Sequence, residues 1–167
     1  MIELATIEDL NQVEMIMRSI KEEMRQEGNP QWGSTDEDYP SISKLLDDIN
    51  NKKMIKYVEN NIIKGIVSLA RDTAREYDGL LDNSLEESYI IHRLAIPQEY
   101  RQQKIATKLI QYAEIEAKNN QIRLLKSSTE ESNLKMNNFF IRHGFTHKGQ
   151  YIYDDYPGVY NYFEKEL

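Results

Sequence analysis

The chain has 167 residues, 40% of them apolar, which fits one domain spanning 1–167 with a core that needs no metal or disulfide. It has no cysteine, so disulfides, thiolate zinc sites, Cys-x-x-Cys redox chemistry and a cysteine acyl-enzyme are all excluded. A formal charge of −7 argues against nucleic-acid or anionic-membrane binding through bulk electrostatics, and no apolar run is long enough to span a bilayer. Glu3, Glu8 and Asp9 stand where a signal peptide would carry lysines, so the expected location is the cytoplasm. The seven glycines are scattered and form no Gly-x-Gly-x-x-Gly, Walker loop or Gly-x-Ser-x-Gly elbow.

In chain order, residues 2–5 read as a short strand, and Thr6 with Asp9 three positions on reads as a capping box. Leu10, Val13, Ile16, Ile20 and Met24 mark one helical stripe that Gly28-Asn29-Pro30 stops. A loop with Trp32 and Tyr39 follows, then a short helix through Ile42, Leu45, Leu46 and Ile49, capped by Ser41. Met54–Glu59 and Ile62–Ala70 flank Asn60-Asn61, a link that tolerates positive φ, so they should pair as an antiparallel hairpin. After the long polar stretch Arg71–Glu87 comes a strand over Ser88–Ile96, ended by Pro97.

Ile105, Leu109, Tyr112, Ala113 and Ala117 define the next helix, followed by a strand at Ile122–Ser127 and a helix opened by Ser132-Asn133. Gly144 should close that helix in a left-handed conformation, and strands near Phe145–Ile152 and Val159–Glu164 complete the chain. The order predicts an α+β fold: a mixed, mostly antiparallel sheet of six to seven strands flanked by about four helices, with a strand–helix–strand crossover in its second half.

The segment 89–145 carries the chemistry. Its strand leads through Pro97-Gln98-Glu99-Tyr100 into Arg101-Gln102-Gln103-Lys104-Ile105-Ala106-Thr107, where a helix opens. The first N–H groups of a helix lack intrahelical acceptors and carry partial positive charge, so such a turn can seat a phosphate. Arg101, Lys104 and Lys108 give the stretch a charge of +3, with no acid between residues 100 and 113. The same residues also suit an ordinary amphipathic helix with a solvated basic face.

The run Leu94-Ala95-Ile96-Pro97-Gln98-Glu99-Tyr100-Arg101-Gln102-Gln103-Lys104-Ile105-Ala106 resembles the signature of the GNAT (Gcn5-related) N-acetyltransferases. That signature is Leu-Ala-Val, a turn, then [Arg/Gln]-x-x-Gly-x-[Gly/Ala] at a helix start. Asn133 and the later Phe139-Phe140-Ile141-Arg142-His143-Gly144-Phe145 are similar to the family's Asn-opened helix with its Gly-Phe ending. Trp32 with Tyr39-Pro40 resembles a loop of the bacterial small-molecule members.

The resemblance implies acetyl transfer from acetyl-CoA to a primary amine of a small molecule or peptide, by direct attack in a ternary complex and without a metal. Leu94, Ala95 and Ile96 would bond the pantetheine arm, with the backbone N–H near Leu94 as oxyanion donor. Arg101 to Thr107, including Gln102, Gln103, Lys104, Ile105 and Ala106, would hold the pyrophosphate. Asn133 and Phe140 would complete the coenzyme site, although Asn133 is equally a plain helix cap.

Two departures qualify the match. Lys104 stands at the family's glycine, where a lysine can donate its N–H if its φ is negative. Phe140 stands where the family often has a tyrosine that protonates the departing sulfur. Together they motivate an alternative: a catalytically weakened acyl-CoA-binding or protein-interaction module.

His92, two residues before Leu94 on an alternating strand, is the candidate base, or else a structural histidine. His143 and His147 are four apart, but Gly144 breaks the helix that would align them on a metal. Trp32 and Tyr39 are the candidate acceptor-site residues. Acidic clusters at 36–38, 72–78, 86–87 and 154–155 would favour a cationic amine or serve only solubility. Tyr151, Tyr153, Tyr156, Tyr160 and Tyr162 suit either an apolar acceptor wall or cross-strand pairs at a homodimer edge.

Overall fold

The computed structural model describes residues 1–32, 40–72, 86–153 and 157–167. Seven strands form one sheet in the order β1-β2-β3-β4-β5-β7-β6. They are β1 (Ile2–Leu4), β2 (Met54–Glu59), β3 (Ile62–Asp72), β4 (Ser88–Ala95), β5 (Leu124–Glu130), β6 (Thr146–Tyr151) and β7 (Tyr160–Glu166). The helices are α1 (Leu10–Gln26), α2 (Ile42–Asn50), α3 (Ile105–Asn119) and α4 (Leu134–Arg142). All pairings are antiparallel except β4 with β5, which the α3 crossover joins in parallel. This is the mixed α+β sheet that the element order predicts.

Local chemistry sets the boundaries. The Asp9 carboxylate accepts the Thr6 N–H at 2.7 Å and the Thr6 hydroxyl at 3.1 Å, and a single 3₁₀ turn over 7–9 leads into α1. Ser41 Oγ accepts the Lys44 N–H at 3.3 Å to cap α2. Asn60 and Asn61 both take positive φ, 54° and 60°, and close the β2–β3 hairpin. Gly144, at φ 82°, ends α4 as expected.

Two cores sandwich the sheet. On one face α1 and α2 bury Val13, Met17, Leu45 and Ile49 against Met54, Ile63 and Ile66. On the other, α3 and α4 bury Leu109, Ile110, Ala113 and Phe140 against Val67, Leu69, Ile91, Leu125 and Phe163. Gly65 lies where β3 passes the start of α3. A Cβ there would collide with the Ile96 side chain and stand 2.9 Å from Ile105 Cγ2. The close approach locks the turn after β4 against the sheet.

Candidate active site

The parallel pairing of β4 and β5 is short: Ser88, Tyr89 and Ile90 register with Leu124, Leu125 and Lys126, and there it stops. At the point of divergence Ser127 Oγ donates to the Ile91 carbonyl at 3.0 Å, so a side chain replaces the next backbone bond. Beyond it the strands part and open a cleft of about 240 Å³. Ile91 to Leu94 line one wall and Ser127 to Thr129 the other, with Asn133, Met136 and Phe140 of α4 closing one side. Met24, Gln31, Trp32, Tyr153 and Tyr160 complete the lining, and Gln31 Oε1 lies 3.5 Å from Asn133 Nδ2.

β4 does not alternate simply along this wall. Ser68 registers with His92 and Ile66 with Ala95, leaving Arg93 and Leu94 opposite Val67 alone. This is a bulge, and Arg93 takes φ 51° within it. The extra residue lets Ile91 and Leu94, three apart, pack on the same α3/α4 core. The simple alternation that places His92 on the face of Leu94 is therefore corrected: His92 pairs with Ser68, which faces α2, and meets Leu94 only at the cleft. Burial first, and then the neighbouring Arg93 guanidinium, push the half-buried His92 imidazole down to about 4. At neutral pH it is uncharged and a weak base.

The turn after β4 is built from left-handed residues. Gln102 has φ 63° and Lys104 φ 59°, so the condition of a negative φ at Lys104 is not met. The lysine occupies the backbone conformation for which glycine is the natural residue. The first intrahelical bond of α3 runs from the Lys108 N–H to the Lys104 carbonyl at 3.0 Å. The N–H groups of Ile105, Ala106 and Thr107 therefore precede the helical ladder, next to the exposed Gln102, Gln103 and Lys104. Alternating left-handed residues ahead of a helix start form a backbone concavity suited to an anion. Lys104→Gly is expected to raise stability by about 0.5–1 kcal/mol through relief of this strain, read by urea denaturation. A loss would mean that the lysine side chain stabilises the turn.

Arg101 does not project freely toward this concavity. Its Nη1 and Nη2 donate to the two carboxylate oxygens of Glu23 on α1, each at 2.5 Å, and its Nε donates to the Ile96 carbonyl at 3.0 Å. The hydrogen bond from Arg101 holds the Glu23 carboxyl below its ordinary range and keeps the pair charged. Arg101 thus ties the turn to α1. Arg101→Ala should lower both stability, by about 1–2 kcal/mol for a partly exposed charged pair, and affinity for a diphosphate ligand. An unchanged melting temperature with weakened binding would restore a direct phosphate role. Lys108 instead lies over Tyr57, its Nζ 3.2 Å from the hydroxyl and 4.9 Å from the ring centre.

Thr107 is bound to α4. Its Oγ1 lies 2.9 Å from His143 Nε2, while His143 Nδ1 lies 2.8 Å from the Phe139 carbonyl. A carbonyl only accepts, so Nδ1 donates to it, and Nε2 shares a hydrogen bond with the threonine hydroxyl. Among the described residues no cluster of His, Asp and Glu could hold a metal ion.

Asn133 caps α4, its Oδ1 accepting the Met136 N–H at 3.2 Å, and also borders the cleft. Phe140 is buried against Phe145 and Phe163, with ring centres at 5.1 and 5.2 Å, and shows one edge to the cleft. Ala95 and Ile96 pack in the cores, Ala95 with the α1/α2 side and Ile96 with the α3 side. Trp32 does line the cleft, whereas Tyr39, Tyr156 and the acidic clusters at 36–38 and 154–155 lie outside the described residues. Of the other acids, Glu87 is held by Arg71 at 2.7 and 2.8 Å, and no carboxylate lines the cleft among the described residues.

Gln31 carried no signal in the sequence as a residue of the site. Gln31 Oε1 accepts from Thr129 Oγ1 at 3.0 Å and from the Glu130 N–H at 3.3 Å, bridging the loop after α1 to β5. Tyr153 and Tyr160 stack edge to face with ring centres 5.1 Å apart and form an aromatic wall. Tyr151 registers with Tyr160 across β6 and β7, so part of the tyrosine run makes cross-strand pairs as well.

The seven-stranded mixed sheet with its four helices matches the GNAT acyl-CoA N-acyltransferase fold. A family model described as the acetyltransferase (GNAT) domain matches residues 20–157, and the chain belongs to that family. No curated protein sequence matches the chain significantly. Among solved structures, a GNAT-family acetyltransferase from Streptococcus agalactiae superposes with a TM-score of 0.86 at 22% identity, covering 100% of this chain and 95% of its own. A ribosomal-protein-alanine N-acetyltransferase from Brucella melitensis gives 0.74 at 17% identity, over 100% and 99% of the two chains. The PaiA N-acetyltransferase from Thermoplasma acidophilum, solved in complex with coenzyme A, gives 0.70 at 19% identity, over 100% and 98%. No helix among the described residues is long and apolar enough to cross a membrane.

Proposed function

We propose that the protein transfers the acetyl group of acetyl-CoA to a primary amine of a small molecule or peptide, by direct attack within a ternary complex. The observation that carries this reading is the fork between β4 and β5, with the chain running on from β4 to the N–H groups at the start of α3 that precede its helical ladder. The diphosphate of the coenzyme fits the turn at 102–107, and its pantetheine arm fits the edge of β4 that parts from β5. The thioester carbonyl then lies by Leu94, whose backbone N–H is the oxyanion donor. The amine enters from the side of Trp32, Gln31, Tyr153 and Tyr160. A cytoplasmic setting fits a cysteine-free chain of this kind.

Proton transfer is the weak part of this site. His92, held near 4, withdraws little from an ammonium, so the amine must arrive neutral or lose its proton to water. Phe140 offers no proton to the departing sulfur, and the thiolate leaves unassisted. A thiol pKa of about 8.5 makes that tolerable. These two features also favour the second reading, an acyl-CoA-binding module with little turnover.

One experiment separates the two. Calorimetry with acetyl-CoA should show binding, and a panel of amines should release free CoA thiol with at least one of them. Binding without thiol release from any amine would support the module. No binding at millimolar coenzyme would sink both readings.

A further inference from the structure

Among the described residues, Arg93 is the only non-glycine residue inside a strand with positive φ, at 51°. Glycine would adopt that conformation without strain, so the side chain must contribute something that offsets it. The Arg93 guanidinium is buried and meets Asp48 of α2, which is fully buried. Nε donates to Asp48 Oδ2 at 2.7 Å, Nη2 also reaches that carboxylate, and Nη2 lies 3.4 Å from Ser68 Oγ. Lys44 stands 3.7 Å from the other carboxylate oxygen. A buried ion pair of this kind adds little net stability compared with an apolar replacement, which makes it a candidate for fixing geometry. What it fixes is the bulge, since Arg93 and Leu94 together face Val67 between the registered pairs Ser68–His92 and Ile66–Ala95.

We infer that Asp48, acting through Arg93, is a positioning residue that holds the β4 bulge so that the Leu94 N–H faces the acyl group. This rests on the acetyl-transfer reading above. An oxyanion donor is used fully only in the transition state, so releasing the bulge lowers kcat and leaves coenzyme binding alone. The charge of Arg93 is not the agent. Asp48→Asn keeps the arginine and removes the opposing carboxylate, so an electrostatic role predicts an equal or faster rate, whereas a positioning role predicts a slower one.

The test compares Arg93→Ala, Asp48→Asn and the double variant with the wild-type chain, using the best amine from the panel. Alanine removes the guanidinium and keeps the Cβ that strains a positive φ, whereas glycine would hold the bulge unaided. Each single variant should lose about 10–100-fold in kcat with KM for acetyl-CoA unchanged, less than the roughly 10²–10³-fold cost of losing an oxyanion donor outright. The double variant should be no worse than the poorer single, because both residues act through one contact. It also carries no unpaired buried charge, and so decides the matter if Asp48→Asn does not fold. In parallel, the Leu94 amide resonance of isotope-labelled protein should shift in Arg93→Ala and in the double variant. Wild-type kcat in Arg93→Ala, or an unmoved Leu94 amide, overturns the inference. If the wild-type chain itself releases no thiol, the acetyl-transfer reading fails instead, and the amide shift alone decides whether the pair sets the bulge.

Discussion

Phe140→Ala is expected to lower the free energy of unfolding by about 3–5 kcal/mol, which for a chain of this size is a fall of roughly 6–20 °C in melting temperature. The ring is almost fully buried and packs on Phe145, Phe163 and Phe139, so truncation opens a cavity where α4 meets the sheet. The same ring borders the cleft, so coenzyme affinity should fall along with stability. A loss under about 1 kcal/mol in thermal or urea melts would show that the site collapses around the deletion. Phe140→Tyr is the informative counterpart. It keeps the ring and adds one ionisable hydroxyl, so binding should persist and turnover should rise if that hydroxyl reaches the leaving sulfur. An unaltered rate would mean that solvent already protonates the thiolate.

The second large effect is acid destabilisation through His92. Its folded value, about 4, lies below the value near 6.5 of an unfolded chain. Between those two pH values the unfolded state binds the extra proton, so stability falls as pH drops from about 6.5 to 4 and is fully present above that window. The full separation corresponds to about 3 kcal/mol, and roughly 2–3 kcal/mol is expected because the ring borders an open cleft. His92→Gln should remove this slope, measured as urea stability at pH 4.5 against pH 7. If both proteins lose stability equally over that range, the imidazole is not held neutral. For catalysis the consequence is that kcat/KM should show no limb from His92 between pH 5 and 8, leaving the acceptor amine to set the profile.

Much of the fold was legible because its signals are local. The stripe Leu10-Val13-Ile16-Ile20 and the stop at Gly28 are written within one helix. Ser41, Asn60-Asn61, Asn133 and Gly144 act on backbone groups within a few residues of themselves. Strand ends differ from the expected ones by one to three residues, as at β3, which runs on to Asp72, and β5, which runs from Leu124 to Glu130. There the pairing of neighbouring strands decides where a ladder stops, and no residue in the segment announces it.

The turn after β4 was legible as a helix start but not in its contacts. Its basic residues suggested phosphate ligands, yet Arg101 is held by a carboxylate 78 positions earlier, and Lys104 matters through its φ. His92 was readable as a histidine near the chemistry. Its low basicity required knowing that burial and Arg93 surround it.

By itself the sequence determined the order of elements, the parallel crossover, the family and the place of the turn ahead of α3, since periodicity, caps and a contiguous motif act over short stretches of chain. Only the tertiary structure decided where β4 and β5 part, which residue takes up the bulge, and which side chains meet in the cleft. Those outcomes depend on groups such as Asp48 and Arg93, 45 positions apart, or Gln31 and Thr129, 98 apart. Their attraction is exerted only after packing has brought the helices onto the sheet and excluded water between them.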